Sequence, residues 1–308
     1  MVELPAVGSR VSLRHRLPPG SAKPLTDVVG HLVAVGTEVL VRTKSGEIVT
    51  VAAADVVAVR ELSHSPVRTS EIRALEHAAA LAWPGVEQQW LNGWLLRFGR
   101  GVTSRANSAV PLDVSAKLSD LLEIADWYRQ RDLPPWVALP ERLLPVRADG
   151  VKHTRVMVRD VDEHDSGSAS ASVAPASVVP ASVAHAALPD ADWLRIYERD
   201  VPVDVLSAVI DGEVTFARIG DAAVGRGAVT AAPDGTRWLG ISSVRVAPEQ
   251  RRRGHARTLC ESLSAWGAAH GAQRAYVQVL ADNDAAVALY TSMGFRLHHG
   301  CRYWQPQH

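Results

Sequence analysis

The chain has 308 residues, of which 47% are hydrophobic and 21% charged, so two or three globular domains with sizeable cores are expected. Its 33 basic and 33 acidic residues cancel, which removes the whole-protein electrostatic argument for a nucleic-acid partner or an anionic membrane surface. Two cysteines, Cys260 and Cys301, are too few for a disulfide framework, and no zinc-ligand spacing or long apolar run is present.

Residues 1–62 read as short strands: Arg10 to His15, Gly30 to Val35, Glu38 to Thr43, Glu47 to Ala52 and Val56 to Arg60. Glycine-containing turns join them, which predicts a small SH3-like β-barrel. No Trp, Tyr or Phe precedes Trp83. A proline-peptide groove needs such rings, so a packing or oligomerisation module is the expected role. Met1-Val-Glu-Leu-Pro does not have the form of a signal peptide. A cytoplasmic protein without membrane association is expected.

After a joint at Ser63 to Pro66, residues 66–160 mix helix and strand. The spacing predicts a helix from Thr69 to Trp83-Pro84, a strand from Gln89 to Phe98, and a helix from Ser115 to Arg131. Strands follow at Trp136 to Leu139 and Thr154 to Val158. Residues 161–186 are low in complexity and repeat Pro-Ala-Ser-Val, as a linker or long loop does. Val178 to Ala186 could add an edge strand.

Residues 187–308 are regular again. Helices are expected at Asp190 to Glu198 and from Val203 towards Ile210. Strands follow at Val214 to Ile219, Ala223 to Thr230 and Arg237 to Val246, then a helix from Gln250 to Gly271. A strand at Ala275 to Leu280 and a helix from Asp284 to Met293 come next, with strands at Phe295 to His299 and Arg302 to Trp304. The fold class is therefore α+β with a mixed sheet.

One stretch of this segment carries chemistry. Val244 and Val246 alternate with Arg245 on a strand that Pro248 stops. Arg251-Arg-Arg-Gly254-His-Ala256-Arg257 then opens a helix. Small residues at 254 and 256 let a ligand approach the backbone. Free amides and the helix dipole at such a start favour a phosphate or pyrophosphate, and arginine forks suit its oxygens. A solvated helix start would carry the same residues.

Val246-Ala-Pro-Glu-Gln-Arg251-Arg-Arg-Gly254-His-Ala256 resembles the acetyl-CoA pyrophosphate motif of the GNAT acetyltransferases. Asn283-Asp-Ala-Ala-Val-Ala-Leu-Tyr290-Thr-Ser-Met-Gly-Phe295 is similar to the family's second motif. Position 252 departs from the usual pattern in being Arg rather than Gly, and 256 in being Ala. The resemblance implies a GNAT fold over 187–308, with acetyl-CoA as co-substrate, no metal, and a small-molecule or protein amine as acceptor. It implies that Val244, Arg245 and Val246 offer backbone to the pantetheine arm, and that Arg251, Arg252, Arg253, Gly254, His255, Ala256 and Arg257 surround the pyrophosphate. Asn283 would contact the pantetheine, and Tyr290 would protonate the leaving thiolate. Direct attack by the amine in a ternary complex follows; the alternative is a non-catalytic acyl-CoA sensor whose SH3-like domain binds a partner. Glu249 is a weak candidate for the base.

The whole arrangement also resembles an actinobacterial type with an SH3-like domain before the GNAT domain, and leaves room for a homodimer. In it the middle segment looks like a degenerate GNAT half. Trp94, Arg105 and Asn107 could line its acceptor pocket, or be a buried Trp, a surface Arg and a satisfied Asn. His298 and His299 are expected on opposite faces of a strand, and Cys260 in the core.

Overall fold

A computed structural model describes residues 2, 4–18, 20–21, 23–62, 67–146, 149–161 and 182–306. The expected joint at 63–66 and most of the low-complexity stretch, 162–181, lie outside the described residues. The chain divides into two compact units, Met1–Val67 and Arg68–His308.

In the first unit five antiparallel strands are ordered β4-β3-β2-β1-β5: β1 (Arg10–Arg16), β2 (Leu25–Val35), β3 (Glu38–Thr43), β4 (Ile48–Ala52) and β5 (Val56–Leu62). Alternating residues on each strand close a core of Val11, Leu13, Val28, Leu32, Val39, Val41, Val51 and Val56. β2 begins five residues earlier than its apolar run suggested, because Leu25 to Val29 pair with β1.

The second unit is built on an eight-stranded sheet. Its strands are β9 (Val137–Pro140), β10 (Val151–Asp160), β11 (Ala184–Ala186), β12 (Glu213–Ile219), β13 (Ala223–Ala231), β14 (Arg237–Val246), β15 (Arg274–Leu280) and β16 (Arg296–Trp304). The order is β11-β12-β13-β14-β15-β10-β16-β9. β14 and β15 are parallel and joined through a helix, whereas β10 lies antiparallel between β15 and β16. Residues expected in two segments, on either side of 161–186, thus share one sheet. The reason is visible in β10, where Met157 faces one core while Val156 and Val158 face the other.

Helices cover both faces. α5 (His255–Ala269) and α6 (Asp284–Ser292) cover one, through Leu259, Cys260, Leu263 and Tyr290 packed on Leu239, Ile241, Val277 and Val279. α1 (Thr69–Ala82) covers the other, with Leu75, Ala78 and Ala79 beside Trp238 and Tyr276. On that same side α3 (Ala191–Tyr197) and α4 (Val203–Ser207) pack Trp193, Ile196 and Leu206 on Phe216 and Val224. A small sheet of β6 (Glu87–Leu91), β7 (Trp94–Phe98) and β8 (Val110–Pro111) adjoins α2 (Leu121–Arg129).

Several sequence expectations change. Gln89 to Phe98 is a hairpin rather than one strand, because Asn92 and Gly93, at φ 46° and 89°, make the tight turn that suits paired strands. The helix expected from Ser115 begins only at Leu121, after a 3₁₀ turn at Leu118–Asp120. The helix expected from Gln250 begins at His255, and that from Val203 stops at Ser207. Phe295 to His299 and Arg302 to Trp304 form one strand running through Gly300. The edge strand sought in 178–186 is short, Ala184–Ala186.

Candidate active site

The central feature is a fork in the sheet. β14 and β15 pair from Trp238↔Arg274 to Ile241↔Val277 and then part. β14 continues to Val246, paired on its other side with β13. Ser243 has φ 55°, and the β13–β14 register shifts opposite it, between Val224 and Arg226. Such a bulge changes which face the following residues present. Leu239 and Ile241 face α5 before it, and Val244 and Val246 pack on the same core after it. Beyond the fork, β14 has backbone groups on the β15 side that no strand among the described residues takes up.

The strand ends in a 3₁₀ turn, Pro248–Gln250, and the chain enters α5 through Arg251 to Gly254. Arg252 and Gly254 both adopt left-handed backbone, at φ 62° and 83°. Gly254 is the position where this matters, since a bulky side chain there would be strained. A Cβ added at Gly254 would project into open space, with nothing within 4 Å. Thr258 N–H, donating to Gly254 O at 3.1 Å, begins the helical ladder, and the amides before it belong to the unpaired first turn. This concave, amide-rich turn fits a bound diphosphate.

Arg251, Arg252 and Arg253 are exposed around that turn, while His255, Ala256 and Arg257 are half-buried. Arg257 donates to Ser292 Oγ at 2.7 Å, tying α5 to α6. Arg245 forms an ion pair with Glu198 on the far side of its strand. Asn283 Oδ1 accepts the Ala286 N–H at 3.1 Å and so caps α6. Glu249 is exposed on the 3₁₀ turn. Tyr290 is buried with its ring 5.6 Å from Phe295, and its hydroxyl lies beside the Cys260 thiol. Burial, reinforced by Cys260, holds the phenol well above its usual range, and burial pushes the thiol up to about 12. Both keep their protons at neutral pH.

On the α1 face of the fork, side chains from distant parts of the chain converge. Trp83 Nε1 donates to Ser242 Oγ at 3.2 Å, linking the end of α1 to the first β14 residue past the fork. Ser243 Oγ lies 3.3 Å from Tyr197 Oη. Arg226 is fully buried, 4.6 Å from the Trp83 ring, and donates to the carbonyls of Leu206, Ala82 and Ala208 at 2.7, 2.9 and 3.0 Å. Burial lowers its pKa to about 9. Arg97 is likewise buried and donates to Ser108 O and Oγ. Glu76 accepts from His299 Nε2 at 2.8 Å, and His299 Nδ1 lies 2.8 Å from His298 Nδ1. The two histidines do not simply alternate faces, because the β10–β16 register skips at His298 and brings both rings inside.

The three residues with open readings divide. Trp94 is buried and donates to Asp120 and Lys117 O, and Asn107 is satisfied by Gly99, Gly101 and Thr103. Arg105 is neither buried nor on the surface. It lies half-buried, 5.5 Å from the Trp83 ring, and lines two narrow cavities at the fork. Glu76, Arg97 and Arg226 were not anticipated, although two left a trace: Glu76 falls on the apolar stripe of α1, and Arg226 is the one charged residue in a buried strand.

The family described as "Probable histone acetyltransferase Rv0428c C-terminal" matches residues 69–304, and that described as "Rv0428c N-terminal Sm-like domain" matches 5–60. The chain belongs to this acetyltransferase family. A relative from Mycobacterium tuberculosis, named "Probable histone acetyltransferase Rv0428c", is 51% identical over all of this chain and 98% of its own length. "Uncharacterized N-acetyltransferase YobR" of Bacillus subtilis is 27% identical over 73% of this chain and 94% of its own. A solved GCN5-related N-acetyltransferase from Kribbella flavida superposes with a TM-score of 0.53, covering 79% of this chain and 98% of that one at 17% identity. This last likeness shows the fold. The sheet with its fork is that of the GNAT enzymes, the first unit is Sm-like, and the protein is an acetyltransferase. Among the described residues, no helix is long and apolar enough to cross a membrane.

Proposed function

We propose that this acetyltransferase moves an acetyl group from acetyl-CoA to a primary amine, by direct attack and without a covalent enzyme intermediate. The observation that carries the reading is the fork beside an amide-lined turn: β14 parts from β15 after Ile241, and the same strand leads into the left-handed turn at Arg252 and Gly254. The amides from Arg251 to Ala256 would hold the diphosphate, with Arg251, Arg252 and Arg253 adding charge. The unpaired side of Val244 to Val246 would hold the pantetheine amides. Asn283 Nδ2 is the end of that side chain left over once Oδ1 caps the helix, and it would face the pantetheine.

When bound, acetyl-CoA supplies a thioester carbonyl as the electrophile. A β14 amide near Val244 would stabilise the oxyanion. The neutral amine forms the C–N bond, the C–S bond breaks, and the Tyr290 hydroxyl gives its proton to the departing sulfur. The proton that the amine loses passes by way of solvent to the phenolate and restores the phenol. Tyr290 keeps its proton well past neutrality, and the burial that raises its pKa also makes it a weaker donor, so transfer to the sulfur depends on the thiolate charge that develops as the C–S bond breaks. Tyr290→Phe is expected to lower kcat by about 100-fold or more while leaving the Kd for CoA, measured calorimetrically, unchanged. Wild-type turnover in that variant would remove Tyr290 from the chemistry. The relative's name points to a protein amine, on a histone, as one acceptor that this chemistry would serve.

A further inference from the structure

The face of the fork opposite α5 holds more positive charge than its own side chains neutralise. Arg97, Arg105 and Arg226 converge there, Arg97 and Arg226 each close enough to Arg105 to be repelled by it, and among the described residues the carboxylate facing them is that of Glu76, which His299 already engages at 2.8 Å. Arg97 and Arg226 are held by backbone carbonyls. Arg105 is different: among the described residues its guanidinium makes no hydrogen bond or ion pair. Its Nε is shut away from solvent without a partner, and so is Nη1 of Arg226 on the same tryptophan.

An arginine keeps its charge at neutral pH, so the Nε of Arg105, shut away from solvent on a half-buried side chain, is a donor whose missing partner carries a cost. The neighbouring phenols do not help. Tyr276 and Tyr303 are pushed up to about 12 by burial and stay neutral. What relieves the site is an anion with two coplanar oxygens, which a guanidinium fork grips in two parallel bonds. The place also adjoins the fork. Arg105 and Ser242 line the same cavity at the fork, with Gly240, Tyr276 and Gln278, and Trp83 bridges them by bonding Ser242 while lying beneath Arg105. A second cavity, reaching Glu76, also has Arg105 and Gln278 in its wall.

We propose that Arg105 receives a carboxylate of the acceptor, so that the acceptor is a small amine carrying a carboxylate on the same molecule, as an amino acid does. This rests on the acetyl-transfer reading above. Bound in this way, the carboxylate would sit against Arg105 and the amine would be presented towards Ser242 and the fork.

The test uses the full-length protein and acetyl-CoA, with a panel of free amino acids, each set against its own carboxamide at matched concentrations of neutral amine. A lysine-containing histone-tail peptide is included. Thiol release should favour the carboxylate over the carboxamide by about 30-fold or more in kcat/KM, the loss expected when one partner of a buried charged pair is removed. Arg105→Gln should abolish that preference through KM, and Arg105→Lys should restore part of it. A preference that is absent, that survives in Arg105→Gln, or that goes to the peptide overturns the proposal. Should no panel member turn over, binding decides: Arg105-dependent thermal stabilisation by the carboxylates and not by the carboxamides supports it, and no such difference overturns it. CoA affinity is measured in parallel on the same variants. Lost CoA binding in the wild type would sink the acetyl-transfer reading itself, whereas intact CoA binding with no carboxylate selectivity would sink only this inference.

Discussion

The two faces of the fork are made in different ways. On the α5 face, the features that would hold a nucleotide donor lie in two short stretches, 241–257 and 283–290, and most are backbone: a bulge, two left-handed residues, an open helix start. On the α1 face the partners come from residues as far apart as Glu76, Trp83, Arg105, Arg226 and His299, and each contact depends on at least one side chain. A backbone device needs only the right few neighbours in sequence. A side-chain device needs the whole fold to be correct before it exists.

If the α1 face is held by side chains, removing one should cost stability directly. Arg226 is the sharpest case, since three carbonyls from two separate segments, Ala82 and Leu206 to Ala208, depend on it. Arg226→Met is expected to destabilise the second unit by about 3–5 kcal/mol, because those carbonyls lose their donor while remaining buried. Urea unfolding measures this. A loss below about 1 kcal/mol would show that the backbone alone holds this face.

The next effect is on pH dependence. His298 is buried, and burial first, then His299, Arg274 and Arg142, lower its pKa to about 3. Below the ordinary imidazole value the unfolded chain binds a proton that the folded chain refuses. Stability from this group is therefore present above about pH 6.5 and is lost as pH falls towards 3, by on the order of 2–4 kcal/mol. His299 is engaged at both ring nitrogens, Nε2 with Glu76 and Nδ1 with His298, so a proton on His298 enters a chain already satisfied. His298→Leu should flatten the acid limb of the stability profile. An unchanged slope between pH 6.5 and 4 would show that this network does not control acid unfolding.

On the other face the decisive position is a glycine. Gly254→Val puts a β-branched residue at φ 83°, costing about 1–3 kcal/mol in strain, and fills the space where the diphosphate is proposed to sit. CoA affinity should fall by about 100-fold. Gly254→Asn separates the two causes, since Asn tolerates left-handed backbone. It should retain most of the stability yet still weaken CoA. Equal affinity in Gly254→Asn and wild type would argue that this space is not the diphosphate site.

These differences also explain what could be read beforehand. The strand, turn and helix of 237–269 were legible because periodicity, Pro248 and Gly254 are local signals. The sheet order was not, because nothing in Val156-Met-Val158 says that it pairs with β15 and β16, more than a hundred residues further on. The hairpin at Asn92-Gly93 was legible and overlooked, since Asn-Gly between apolar runs is a strong turn signal. Arg105 could not be distinguished from a surface arginine by its neighbours in sequence. Only the packing of Trp83, Ser242 and Tyr276 around it shows that it is half-buried and unpaired.

The smallest expected effect bears on the most conspicuous sequence feature. Arg251, Arg252 and Arg253 are all exposed, so each meets an anion in high dielectric and is screened by salt. If the diphosphate is held mainly by amides, Arg251→Ala, Arg252→Ala and Arg253→Ala should each weaken CoA binding by only a few-fold, and the loss should shrink further as salt is raised. Calorimetric Kd values at low and high salt check this. Arg252 has a second reason to be informative, because its φ of 62° is not one that most residues adopt comfortably. Arg252→Gly should relieve that strain and offset part of what the lost charge takes away. If instead any single arginine matters as much as Gly254, the α5 face is a side-chain site after all, and the contrast between the two faces disappears.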